Sequence, residues 1–414
     1  MSSIKRTPSR PAHHANNAGT SFINPWPSAS KPSWAELTKA SFPFGRYEVG
    51  LHSHRKARDV KVVTPDWGIT SLKKCKADKS KSIIGTWLGH AGALVEVPSL
   101  DKKEQKSLWL LIDPIFSSRA GPTQYSGVAR MKQSPCQVDD LPGCDAVFIS
   151  HNHYDHLDLS TIKALGQRFP EARYYVPLGI KQWMLSCGIP DKLVYELDWW
   201  QNREYSLADF HHQAVEVSDS QTIFRFTCVP AQHNSGRGPI DQGGTLWCGW
   251  VIERLLRSKD ESAESQFARK GSIYHAGDTG YRRITGSESV CPAFKEIGNR
   301  FGPFDLSFVP IWRGGSLGFI SYIGLRISHH DIPSALHGSP ADAVAIHKDV
   351  KSRNTIGIHF GTFIGSVNES YEAVIEFGQA CDEFGVGDLE DEVEGENGRA
   401  GTLDIGASLA IEIA

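Results

Sequence analysis

No run of about eighteen uninterrupted apolar residues occurs in this 414-residue chain, so a membrane-spanning helix is not expected. The nearest approach, LSFVPIWRGGSLGFISYIGL at 306–325, is broken by Pro310, Arg313 and several glycines. The first thirty residues lack the continuous apolar core of a secretory signal. CxxC pairs are missing as well: the eight cysteines (Cys75, Cys136, Cys144, Cys187, Cys228, Cys248, Cys291, Cys381) are scattered. That spacing excludes a disulfide-dense secreted scaffold and makes a reducing, intracellular compartment the default. Net charge is also scarce, at -3, with a pI near 6.6. Nothing in that balance calls for a polyanion, so nucleic acid is not expected as a partner.

What is present is enough apolar material, 40% of residues against 22% charged, for a large buried core. The segment before Glu36 contains Lys5, Arg6 and Arg10, several serines and no acid. Such a composition fits a disordered tail or a mitochondrial targeting segment over 1–20, although Pro8 and Pro11 count against a long amphipathic helix there. Residues 21–81 read as an N-terminal arm. Its Trp26, Trp34, Phe42 and Phe44 among Lys31, Lys39 and Arg46 either face lipid or pack on the main domain. The main domain spans 82–387, and an acidic loop and C-terminal segment follow over 388–414. Residues 254–271, rich in Ser, Lys, Glu and Arg, are expected as a solvated loop insertion.

Within the main domain, short strand-like runs alternate with helical ones. SIIGTWLGHAGALVEV, with a bend at its Gly and His, LWLLIDPIF, AVFIS, RYYVP, KLVYELDWW, TIFRFTCVPAQH, LWCGWVIE, SIYHAGDTG, DLSFVPI and NTIGIHFGTF read as strand segments. DLSTIKALGQRF, with Asp158 as its cap, CPAFKEIGNRF, SPADAVAIHKDV and SYEAVIEFGQACDEFGV read as helices. Strands outnumber helices, which suits two stacked sheets with helices outside.

One motif stands out. AVFIS runs into His151-Asn-His153-Tyr-Asp155-His156, so imidazoles and a carboxylate are gathered in one loop after a strand. Such nitrogen and oxygen donors suit zinc and, more broadly, manganese or iron. Four residues cannot close two metal sites. Further donors follow other strands: His233 after TIFRFTCV, Asp278 in HAGDTG and His359 after NTIGI. Singly, each has an ordinary explanation as a hydrogen-bonded core histidine or a turn former. In the order HxHxDH, H, D, H, each after a strand, they form a pattern those explanations do not produce.

That order resembles the metallo-β-lactamase fold superfamily, and it implies an αββα sandwich of two mixed sheets flanked by helices. FINPWPS at 22–28, GHAGALVEV, IDPIFSSRAGPTQYSG, SPCQVDDLP, SHNHYDHLD, ELDWW, AGDTGY, CPAFKEIGNRFGPFDL and IHFGTF together resemble the N-acyl-phosphatidylethanolamine-hydrolysing phospholipase D family. The resemblance implies two zinc ions per chain. His151, His153 and His233 would hold one, Asp155, His156 and His359 the other, and Asp278 would bridge them. It further implies that Tyr154 and His337 contact the lipid head group, with Asp278 and His337 serving catalysis. The implied reaction is hydrolysis of N-acyl-phosphatidylethanolamine to phosphatidic acid and an N-acylethanolamine by a metal-bridged hydroxide. A peripheral membrane surface and a homodimer are the implied partners. The chain departs from the family pattern by the insertion at 282–290, by the glycine-rich stretch at 312–336 with His329, His330 and Asp331, and by Leu336 before His337. These departures keep open a hydrolase of the same fold acting on another ester, a lactone or a soluble phosphodiester, and a lipid-binding protein without turnover. No HxKxxxxD motif is present, so a covalent phosphohistidine is not expected.

Overall fold

A computed structural model of the chain describes residues 10–30, 50–100, 106–210, 222–257, 267–284, 286–312, 335–363, 367–391 and 397–413, and the backbone of 44–46 and 325–327. At its centre lie two seven-stranded sheets. The first runs Ser408–Glu412, Ser82–Gly89, Gly92–Pro98, Ser107–Ile112, Ala146–Phe148, Arg173–Pro177, Val194–Leu197. The second runs Asn202–Ser206, Thr222–Val229, Gly249–Arg257, Phe267–His275, Leu306–Pro310, Asn354–Ile358, Arg399–Gly401. In each sheet the first three pairings are antiparallel and the last three parallel. The expected mixed sheets are therefore both present.

Alternation along the strands builds the layers. Leu108, Leu110 and Ile112 join the core between the sheets with Trp87, Phe226, Trp250 and Phe308. Leu111 enters a separate core with Val147, Ile162, Leu165 and Met184, because successive strand side chains point to opposite faces. The second core holds the helix Leu159–Arg168 against the first sheet. At ten residues that helix is too short to stand alone in water. It is fixed by burial of Ile162 and Leu165, and by the Asp158 carboxylate accepting from the Thr161 amide at 2.8 Å. Over the second sheet, Pro340–Asp349 packs on Leu306–Pro310 and against the helices Ala293–Phe301 and Val367–Phe384. No described helix is long and apolar enough to cross a membrane.

Three expectations change. The loop read at 254–271 is shorter, because Gly249–Arg257 and Phe267–His275 are paired strands. Arg254, which looked solvated, is buried. Its guanidinium donates to the carbonyls of Lys270 and Pro98 at 2.7 and 3.0 Å, so the charge sits inside a hydrogen-bonded frame. Past residue 387, Arg399–Gly401 and Ser408–Glu412 complete the two sheets, and the sandwich extends to residue 412. Only part of the acidic stretch is visible, since 392–396 lie outside the described residues.

Residues 10–30 fold over the body, so 10–20 are not the disordered tail that is one reading of 1–20, and residues 1–9 lie outside the described residues. His13 Nε2 and His14 Nε2 reach the two oxygens of Asp198 at 2.7 and 2.8 Å. Trp199 stacks on His13 at 4.2 Å and on Trp26 at 5.4 Å, so Trp26 packs in part against the body. Trp34, Phe42, Lys31 and Lys39 lie outside the described residues, as do His329, His330 and Asp331.

Candidate metal centre

The parallel halves of the sheets explain why distant residues meet. Strands 267–275, 306–310 and 354–358 run parallel, and 222–229 shares their direction through two antiparallel steps. Their C-terminal ends therefore emerge on one edge of the second sheet. The loop after Ala146–Phe148 reaches the same edge, where its His156 meets Asp278. Every ligand candidate read from the sequence follows one of these ends.

His151 Nε2 lies 2.8 Å from His153 Nδ1, which lies 3.4 Å from His233 Nε2, so three nitrogens converge. Two of these rings are oriented from behind. His233 Nδ1 donates to the Leu336 carbonyl at 2.8 Å, leaving Nε2 with its lone pair free, and His151 Nδ1 sits 2.9 Å from Ser150 Oγ. The second group gathers at Asp155: its Oδ2 lies 3.8 Å from His156 Nε2 and 3.9 Å from His359 Nε2. Asp278 stands between the groups. Its Oδ2 is 3.1 Å from His156 Nε2 and 3.7 Å from His233 Nε2, and its Oδ1 is 2.9 Å from His359 Nε2. The turn that places it requires Gly277, at φ +61°, where a Cβ would fall 2.6 Å from the Cys248 carbonyl oxygen.

These donors fit cations better than they fit one another. His156 Nε2, His359 Nε2 and Asp278 Oδ1 are buried and make no hydrogen bond of acceptable geometry. Buried polar atoms without partners are costly, and a divalent transition ion accepting their lone pairs removes that cost. All seven sequence-derived candidates fall into groups whose donor atoms lie within 4.8 Å of one another. Of the head-group candidates, His337 lies at the rim, its Nδ1 4.0 Å from Asp278 Oδ2 and its ring 5.0 Å from that of His233. Tyr154 packs against Ile115, Ala120 and Phe363, and the Arg237 guanidinium lies 4.4 Å from its ring centroid. The insertion at 282–290 is tied to the body, Arg282 Nε donating to Asp342 at 2.6 Å.

Sequence reasoning did not single out Asp113. It is fully buried, and its carboxylate accepts from the Ser150 amide at 2.7 Å, from Ser150 Oγ at 2.6 Å and from His156 Nδ1 at 2.8 Å. It thereby fixes which nitrogen of His156 faces Asp278. Its only signal was an acid closing an apolar strand, in LLID.

Electrostatics separates the histidines. Burial, then His156, His153 and His233, holds His151 well below its ordinary pKa, so it is neutral and ready to ligate at pH 7. Burial acts on His156 in the same direction, but Asp278, Asp155 and Asp113 outweigh it and hold that group well above its ordinary value. Metal-free protein at pH 7 therefore carries a proton on His156, and since Nδ1 donates to Asp113, the labile proton is on Nε2. Metal loading must expel it. Calorimetric titration of zinc at pH 7, in buffers of differing ionisation enthalpy, is expected to show about one proton released from this ring. A heat independent of the buffer would contradict the assignment.

Comparison with known proteins gives the family. Residues 108–360 match the Beta-lactamase superfamily domain family. The chain is 31% identical over 316 residues to N-acyl-phosphatidylethanolamine-hydrolyzing phospholipase D 1 of Caenorhabditis elegans, covering 76% of this chain and 73% of that one. It is 28% identical over 284 residues to the mitochondrial N-acyl-phosphatidylethanolamine-hydrolyzing phospholipase D of Saccharomyces cerevisiae, covering 68% of this chain and 48% of the yeast protein. Among solved structures, a metallo hydrolase of Ignicoccus hospitalis matches with 16% identity and a TM-score of 0.47, over 80% of this chain and all of that one. The chain is a metal-dependent hydrolase of the β-lactamase superfamily, and within it belongs to the family of N-acyl-phosphatidylethanolamine-hydrolysing phospholipases D.

Proposed function

We propose that this chain hydrolyses the phosphodiester bond of N-acyl-phosphatidylethanolamine at a lipid surface, releasing phosphatidic acid and an N-acylethanolamine, with two zinc ions as cofactors. The observation that carries the reading is the position of Asp278 between two sets of nitrogen and oxygen donors. His151, His153 and His233 would hold one ion, Asp155, His156 and His359 the second, with Asp278 shared. Bound there, the ions supply Lewis-acid polarisation of a phosphoryl oxygen and a water of lowered pKa.

The chain's own residues supply position and proton handling. Asp278 is held well below its ordinary pKa: burial acts to raise it, but His156 and His359 outweigh that effect. It is thus a carboxylate throughout neutral pH, able to accept a hydrogen bond from the attacking water and hold it in line with the leaving oxygen. His337 is pushed down to about 4, first by burial. Being neutral at pH 7, it can donate one N–H to a non-bridging phosphate oxygen while its other nitrogen accepts. Tyr154, between His153 and Asp155 in sequence and with Arg237 over its ring, would position the head group.

The test uses zinc-replete protein and vesicles containing both N-acylated and ordinary phosphatidylethanolamine, with His151→Ala in parallel and products identified by mass spectrometry. Phosphatidic acid together with N-acylethanolamine, absent with the variant, is the expected result. Two bound metals without turnover of either lipid would overturn the lipid assignment and move the search to soluble esters, lactones and phosphodiesters.

A further inference from the structure

His90, in the GHAG turn between Ser82–Gly89 and Gly92–Pro98, is used by none of the steps above, yet it is among the most constrained residues of the chain. It is fully buried. Its φ of +52° is left-handed, a conformation that non-glycine residues adopt only when the surroundings enforce it. Here they do. The His90 amide donates to Thr362 Oγ1 at 2.7 Å, and its carbonyl accepts from the His359 amide at 2.8 Å and from Trp87 Nε1 at 2.9 Å. His359 itself is left-handed, at φ +63°. Two strained histidines from loops far apart in sequence are thus locked together through their backbones, with ring centroids 4.1 Å apart.

The His90 side chain points into the centre. Its Nε2 lies 2.8 Å from Asp155 Oδ2, the oxygen that also faces His156 and His359. Its Nδ1 is buried and has no hydrogen-bond partner among the described residues. A carboxylate can only accept, so an imidazole at this distance carries its proton on Nε2. Carboxylate oxygens have two lone-pair directions, and a donor occupying one of them aims the other.

We infer that His90 is the positioning residue of the second metal site: its Nε2–H fixes the rotation of the Asp155 carboxylate, so that Oδ2 presents a lone pair to the ion shared with His156 and His359. The inference rests on the two-metal reading above, but not on the identity of the substrate. His90 is itself a nitrogen donor within reach of the same group, and the alternative that it ligates directly is separable. A glutamine amide can take the place of an imidazole Nε2–H as a donor but is a poor substitute as a transition-metal ligand.

The experiment is competition of zinc between the metal-free protein and a chromogenic chelator, resolving the two equivalents, for wild type, His90→Ala and His90→Gln. For His90→Ala the second equivalent is expected to bind about 10- to 100-fold more weakly, while the first is unchanged; His90→Gln should recover most of the loss. Unchanged binding of the first equivalent shows that the variants are folded, a matter on which His90→Gln serves as the milder check. Second-equivalent affinities within twofold for all three proteins would overturn the inference. So would a His90→Gln protein as defective as His90→Ala, which would make His90 a ligand. Because the readout is metal affinity, failure of the phospholipid assignment leaves this result interpretable.

Discussion

Asp278→Ala is expected to lower turnover by about a thousandfold or more while leaving the fold in place. Asp278 faces donors of both groups, His156 and His233 through Oδ2 and His359 through Oδ1. On the two-metal reading proposed above, replacing it would take a shared ligand from both ions and remove the group that orients the attacking water. Correctly placed cations contribute several kcal/mol of transition-state stabilisation, and about 4 kcal/mol corresponds to three orders of magnitude in rate. The measurement is kcat on N-acyl-phosphatidylethanolamine vesicles, together with zinc content per chain. Activity within tenfold of wild type would show that the bridging position is not what the reaction uses. Asp278→Asn should sit close to Asp278→Ala, since an amide keeps the shape but loses the charge that two cations require.

Asp113→Ala is expected to destabilise the metal-free protein by about 3–5 kcal/mol, because it removes the carboxylate that pairs with His156 Nδ1, on the side away from Asp278. The change strands the Ser150 amide, Ser150 Oγ and His156 Nδ1, each bonded to that carboxylate at 2.8 Å or less. An uncompensated buried donor costs about 1–3 kcal/mol, more when the group is charged. Urea unfolding at pH 7, with chelator present so that metal binding does not mask the loss, measures it. A change below about 1 kcal/mol would mean that water replaces the carboxylate. With zinc restored, the variant should also bind the second equivalent more weakly, since His156 loses the partner that fixes its tautomer.

The centre was legible in the sequence to an unequal degree, and the reason is geometric. His151, His153, Asp155 and His156 sit in one loop, so their convergence could be read from spacing. His233, Asp278 and His359 each follow an apolar strand, and parallel strands bring such ends to one edge. Asp113 and His90 were not legible as site residues, because what defines them is a partner 43 or 65 residues away. A strand-end acid and a turn histidine look ordinary until that partner is in place. Secondary structure was read well where burial is two-sided, as in Ala146–Phe148 and Asn354–Ile358. It failed at Arg254, whose charge signals solvent in sequence but is satisfied by two carbonyls in the fold. It failed again at Arg399–Gly401 and Ser408–Glu412, short runs that become strands only because partners from much earlier in the chain await them. The arm is an intermediate case. FINPWPS was recognisable as a motif, but not as the segment whose Asn24 donates to the His233 carbonyl at 2.6 Å.

The pairing of Ser408–Glu412 with Ser82–Gly89 sets a timetable for the protein's manufacture. A ribosome makes Ser82–Gly89 long before its neighbour on that side. During elongation the first sheet therefore carries a bare edge directly beside the GHAG turn, open to pairing with other nascent chains. Closing contacts between such distant parts is slow compared with forming local hairpins. The nascent chain therefore has every candidate metal donor before it has the finished sheet that brings them together.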